Sequence, residues 1–140
     1  MKRIVVGVDG SDPSLHAVRL AAELAAPSRS ALLLVYVKRP ILIPTEGYAA
    51  LIAGMRLRAE EEAQAVFAPA RAEAERFSVP VDTRSLEGSP AEVLVDVAAA
   101  EDAGLLVVGN RGAGAASRVL LGSVSDRAVH ISKVPVLVVR

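Results

Sequence analysis

The 140-residue chain balances 16 Lys and Arg against 16 Asp and Glu, and holds two Tyr, two Phe and no Trp. Such a composition lacks both the basic footprint and the stacking platform of a nucleic-acid binder, so no nucleic-acid partner is expected. With no cysteine, thiol catalysis, disulfides and cysteine-ligated metals are excluded, while 52% hydrophobic residues argue for an extensive core.

This length predicts one domain covering residues 1–140. Lys2 and Arg3 precede only a short apolar run, too brief for a signal peptide, and no run reaches the length of a membrane span. The expectation is a soluble cytoplasmic protein with no membrane partner.

Residues 2–9 are a β-branched apolar run and predict a buried strand. Asp12 followed by Pro13 offers an N-cap and a proline at the first helical position, opening a helix to about Ala26 with Leu15, Val18 and Ala22 as its stripe. Residues 31–37 are a second continuous apolar strand, and residues 38–46, with Pro40 and Pro44, read as a loop. Residues 48–77, rich in Ala, Glu and Arg, predict a helix with Gly54 and Pro69 as candidate break points. Residues 79–86 alternate more, which suits a shorter edge strand. Ser89, Pro90, Ala91 and Glu92 form a capping box that starts a helix running to Ala100. Residues 105–109 are the fourth strand, the last helix begins over residues 125–131, and residues 134–139 close as a fifth strand.

Five strands linked by helices imply a parallel α/β sheet with helices on both faces, and ligands of such sheets bind beyond the carboxyl ends of the strands. One segment has the chemistry for that position. Gly109, Asn110, Arg111 and Gly112 follow the fourth strand; nine residues later come Gly122, Ser123, Val124 and Ser125, just before the last helix. Glycine permits close backbone approach and positive φ, and the amides opening a helix attract phosphate. The pattern is what a nucleotide phosphate site needs.

That spacing, Gly-x-x-Gly-x9-Gly-Ser, resembles the nucleotide-binding signature of the universal stress protein family. Ile4 to Ser11 resembles the family's first strand and acidic turn, through Asp9, Gly10 and Ser11, and Val134, Pro135, Val136, Leu137, Val138 and Val139 resemble its last strand. The resemblance spans essentially the whole chain. It implies an open five-stranded parallel sheet of order 3-2-1-4-5, adenine nucleotide alpha hydrolase-like. It further implies an ATP site with Asp9 near the ribose and adenine end, and the backbone of Val37 meeting adenine. A homodimer paired through the final strand is implied as well; an apolar edge beginning with Pro135 fits that role. Tyr36 stands where many members carry histidine.

Several positions keep a second reading. Asp9 either meets a ligand or receives amides within its own turn; Gly109 and Gly112 either admit a phosphate or shape a tight turn. Ser123 and Ser125 donate to phosphate, cap the helix, or do both. Arg111 and Arg118 add charge near the phosphates or are solvated. His16 and His130 lack metal-ligand spacing and read as helix-surface residues. No Gly-x4-Gly-Lys-Ser/Thr occurs, Gly7 to Gly10 is not a dinucleotide fingerprint, and no Gly-x-Ser-x-Gly elbow is present. A site with phosphate donors but few general bases holds a nucleotide rather than turning it over, and Mg²⁺ or Mn²⁺ would arrive with the phosphates. With the resemblance, this implies an ATP-binding stress-response regulatory protein, read out by an unknown protein partner. The alternatives are a non-nucleotide scaffold, or a slow ATPase or autophosphorylating protein with Ser123 or Ser125 as acceptor.

Overall fold

The computed structural model of the protein describes residues 2–40, 46–110 and 121–140. In chain order the elements are β1 (Ile4–Gly7), α1 (Asp12–Ser28), β2 (Leu32–Lys38), α2 (Ala49–Glu75), β3 (Val81–Glu87), α3 (Pro90–Ala100), β4 (Leu105–Gly109), α4 (Ser123–Ile131) and β5 (Val136–Val139). All pairings are parallel and the sheet order is β3-β2-β1-β4-β5, as the resemblance implied. β1 lies at the centre, with Ile4 opposite Leu32 on one side and Leu105 on the other.

Period-two alternation divides the core between the two faces of the sheet. Ile4, Val6, Leu32 and Leu34 pack with Val18, Ala22 and Phe67 of α1 and α2. Val5, Leu33 and Val35 point the other way and pack with Leu94, Ala98 and Ala128 of α3 and α4. Both faces of the central strands are thus covered, which is why they read as unbroken apolar runs.

The differences from expectation that matter most lie in α1, α2, β3 and α4. The cap of α1 is Ser11 rather than Asp12: its Oγ accepts from the Ser14 amide at 3.3 Å, which moves Pro13 to the second helical position. The helix also runs past Ala26 through Pro27 and ends against Arg29, a left-handed residue at φ 53°. α2 is unbroken by Gly54 and Pro69. A proline inside a helix costs about 3 kcal/mol, and here Ala63, Phe67, Ala70 and Ala74 bury one continuous stripe that offsets it. β3 is an edge strand but not a short one, since its seven residues pair with all seven of β2.

The fourth difference bears on function. α4 begins at Ser123 with Gly122 as its cap, two residues before the expected start. The capping box at α3 is only half formed: Ser89 occupies the N-cap, yet its hydroxyl makes no cap bond. The Glu92 carboxylate is instead bonded by Arg127 of α4. The Arg127 Nε donates at 2.9 Å, tying the starts of α3 and α4 together.

Candidate functional site

The carboxyl ends of β1, β2 and β4 open onto a cavity of about 470 Å³, closed on the other sides by the first turns of α3 and α4. This volume lies within the roughly 300–1,000 Å³ of small-molecule sites. The cavity also lies where the chain order of the sheet reverses, the position that open α/β sheets use for ligands.

At its α4 side, Ser123, Val124 and Ser125 occupy the first three helical positions, whose amides have no acceptor within the helix. All three residues line the cavity, together with Gly122. The early start of α4 therefore brings a whole turn of anion-attracting amides to the crevice. The two serines are not equivalent. Ser123 is exposed. Ser125 is buried, and its hydroxyl lies 3.1 Å from both the Asn110 and Gly122 carbonyls, to which it donates. The Asn110 carbonyl also accepts from the Gly122 amide, and the Asn110 amide donates to Val139 at 2.6 Å. Asn110 is thus a buried knot joining β4, β5 and α4 rather than a wall of the cavity.

Glycine acts here in two ways the motif alone did not separate. Gly122 has φ −71° and ψ 164°, a conformation open to any residue, so the turn does not need glycine's freedom. A Cβ on Gly109 would meet the Pro13 carbonyl carbon and Cβ at 2.9 Å and the Ser14 amide nitrogen at 3.0 Å. Its absence lets β4 pack against the start of α1. Arg111, Gly112 and Arg118 lie outside the described residues.

Asp9 lines the cavity, and its Oδ1 accepts from the Ser11 amide at 2.9 Å and the Ser11 hydroxyl at 2.5 Å. Its part in the turn is therefore real, and a ligand contact would be additional. Gly10 supplies that turn with φ +85°, while Ser11 caps α1; neither lines the cavity. Val37 lines the cavity.

The motif reading missed Gly7, Ser14, Arg39, Pro90 and Leu94, which also line the cavity. A Cβ on Gly7 would fall 2.8 Å from Leu94 Cδ1, so this glycine admits the α3 side chain that walls the slot. A glycine interrupting a valine run at a strand end was the available signal. Tyr36 bridges the cavity to α2, with its ring edge-on to Phe67 at 6.3 Å and Lys38 Nζ 5.8 Å from its centre. Burial, then the charges of Glu62 and Asp9, hold its phenol above the ordinary 10.0. His16 and His130 are both exposed on helices, as expected; the Nδ1 of His16 lies 3.1 Å from the Arg140 carbonyl.

A doubly covered parallel sheet with a cavity at its switch point, opposite a helix start, defines an α/β protein of the Rossmann-like kind, with the cavity where such sheets place their ligands. The sequence profile of the universal stress protein family matches residues 1–140, and the chain belongs to that family. It is 36% identical to universal stress protein MJ0531 of Methanocaldococcus jannaschii, covering 99% of this chain and 82% of that one. It is 38% identical to a universal stress protein of Mycolicibacterium smegmatis, covering 97% of the chain but only 47% of that longer protein. Among solved structures, a universal stress protein in complex with cAMP is similar at 33% identity and TM-score 0.69, covering 99% and 96% of the two chains. No described helix is long and apolar enough to cross a membrane.

Proposed function

We propose that this protein binds an adenine nucleotide, ATP in particular, and acts in the cytoplasm as a stress-response regulator whose occupancy a protein partner reads. The observation that carries the proposal is the convergence of the first-turn amides of α4 on a cavity of nucleotide size at the ends of β1, β2 and β4. The cAMP complex of a relative at 33% identity supports the adenine class. Phosphates would meet the amides of Ser123, Val124 and Ser125 and the exposed hydroxyl of Ser123. The ribose would lie near Asp9, with the base against Val37. Gly10, Ser11, Gly109 and Asn110 would shape the site from behind, and Arg111 and Gly112 would complete its glycine loop. A Mg²⁺ or Mn²⁺ ion would arrive with the nucleotide, ligated by phosphate oxygens and by one serine hydroxyl of the site. The copies would pair through the free edge of β5, giving a homodimer.

One observation favours a second reading, that of a scaffold without nucleotide. Asp9 and Gly109 both have complete structural explanations at the start of α1. Mass spectrometry of the freshly purified, denatured protein separates the two. Released ATP or ADP near one per chain is expected; an empty protein that also ignores added ATP with Mg²⁺ leaves the scaffold.

A further inference from the structure

Among the described residues lining the cavity there is one cation, Arg39, and it stands at the end away from the phosphate donors. It follows the last residue of β2, where the Gly88 amide donates to the Lys38 carbonyl at 2.8 Å and closes the rim against the start of α3. The amides of α4 lie on the far side, beyond β1 and β4. Two strand spacings alone separate β2 from β4 by about 10 Å. Arg39 is exposed, and none of the ion pairs among the described residues involves it.

The walls near Arg39 are apolar. Val35 and Val37 face the α3 side with Leu94, and Pro90 lies beside them. A nucleotide in this crevice has one orientation that matches both ends: phosphates at the α4 amides, and the flat apolar face of the base on the valines. The rim cation then stands over the base rather than over the phosphates. A guanidinium plane stacks on an aromatic face without needing to read its edge.

We propose that Arg39 lies across the bound base and clamps it against Val37, making Arg39 a positioning residue for the base and not a phosphate contact. This deepens the nucleotide reading above and rests on it. Titration calorimetry of the wild type, Arg39→Ala and Arg39→Lys with adenosine, AMP and ATP tests it. The alanine variant should weaken all three ligands by one common factor, about threefold to thirtyfold. Lysine should recover little, because an ammonium has no plane to stack. A loss that grows from adenosine to ATP would make Arg39 a phosphate contact and overturn the proposal. Full recovery by lysine, or unchanged affinities in a wild-type protein that does bind, would overturn it equally while leaving the nucleotide site standing. A wild-type protein that binds none of the three removes the nucleotide reading and this inference with it.

Discussion

Ser125 and Asn110, 15 positions apart, are joined by a buried hydrogen bond of 3.1 Å from the serine hydroxyl to the asparagine carbonyl. This bond sets the first turn of α4 against the end of β4, so the two halves of the glycine motif are held together through the body of the protein. The hydroxyl proton is committed to that stitch.

Ser125→Ala should therefore act on stability, costing about 1 kcal/mol for a net hydrogen bond, and urea unfolding measures it. Ser123→Ala should leave the unfolding midpoint unchanged and weaken ATP binding in a titration. The opposite pattern would reverse the roles assigned to the two serines.

Gly109→Ala should destabilise the fold even without ligand. Its Cβ would meet backbone atoms of Pro13 and Ser14 at 2.9–3.0 Å, and backbone cannot rotate aside. Overpacking of this kind costs about 1–3 kcal/mol. A thermal midpoint equal to the wild type's would mean that α1 and β4 separate freely.

Gly122→Val fits the backbone at φ −71° and lines the cavity. Losing glycine at a helix N-cap should cost about 1 kcal/mol of stability. ATP affinity should fall at least tenfold, about 1.4 kcal/mol, and unchanged affinity would place the phosphates elsewhere.

The base of the sheet predicts a pH response. Arg84 donates to Glu101 at 2.8 Å and Arg3 donates to the same carboxylate at 3.2 Å while holding Asp82 at 2.7 Å. The Arg84 bond chiefly holds Glu101 below its ordinary 4.5, with partial burial opposing and the charges of Arg84 and Arg3 assisting. A carboxyl whose folded value is lowered binds fewer protons folded than unfolded, so its contribution is present above 4.5 and is lost as pH falls through the lowered folded value. Urea midpoints from neutral to acid pH should fall less steeply for Glu101→Gln. Parallel curves would show that the cluster contributes nothing.

β5 predicts how the copies meet. The Pro135 and Val139 carbonyls accept from Leu106 and Asn110, so the alternate residues Val136 and Val138 direct their backbone groups to the open edge. Val138→Pro should remove an outward donor while sparing the β4 ladder. Sedimentation should then show a folded monomer where the wild type is a dimer; a wild type that stays monomeric at all concentrations ends the proposal.

The strands were legible because burial on both faces writes itself as continuous apolar runs at Val5, Leu33 and Val107. The helix limits were less so. The sequence predicts that the first helix ends near Ala26 and that the second breaks near Gly54 or Pro69, yet packing of Ala63, Phe67, Ala70 and Ala74 outweighs the proline at 69. A serine one residue before Asp12 captured the cap because its Oγ reaches the Ser14 amide.

The sequence by itself determined the α/β alternation, the parallel sheet and the glycine-serine segment, since these depend on periodicity and residue type close along the chain. Only the tertiary structure decided that Gly109 serves packing against Pro13, that Ser125 is spent on Asn110, and that Arg39 joins the crevice. Each of those depends on which distant backbone lies within about 3 Å for a hydrogen bond or beyond one strand spacing, and no local pattern encodes that distance.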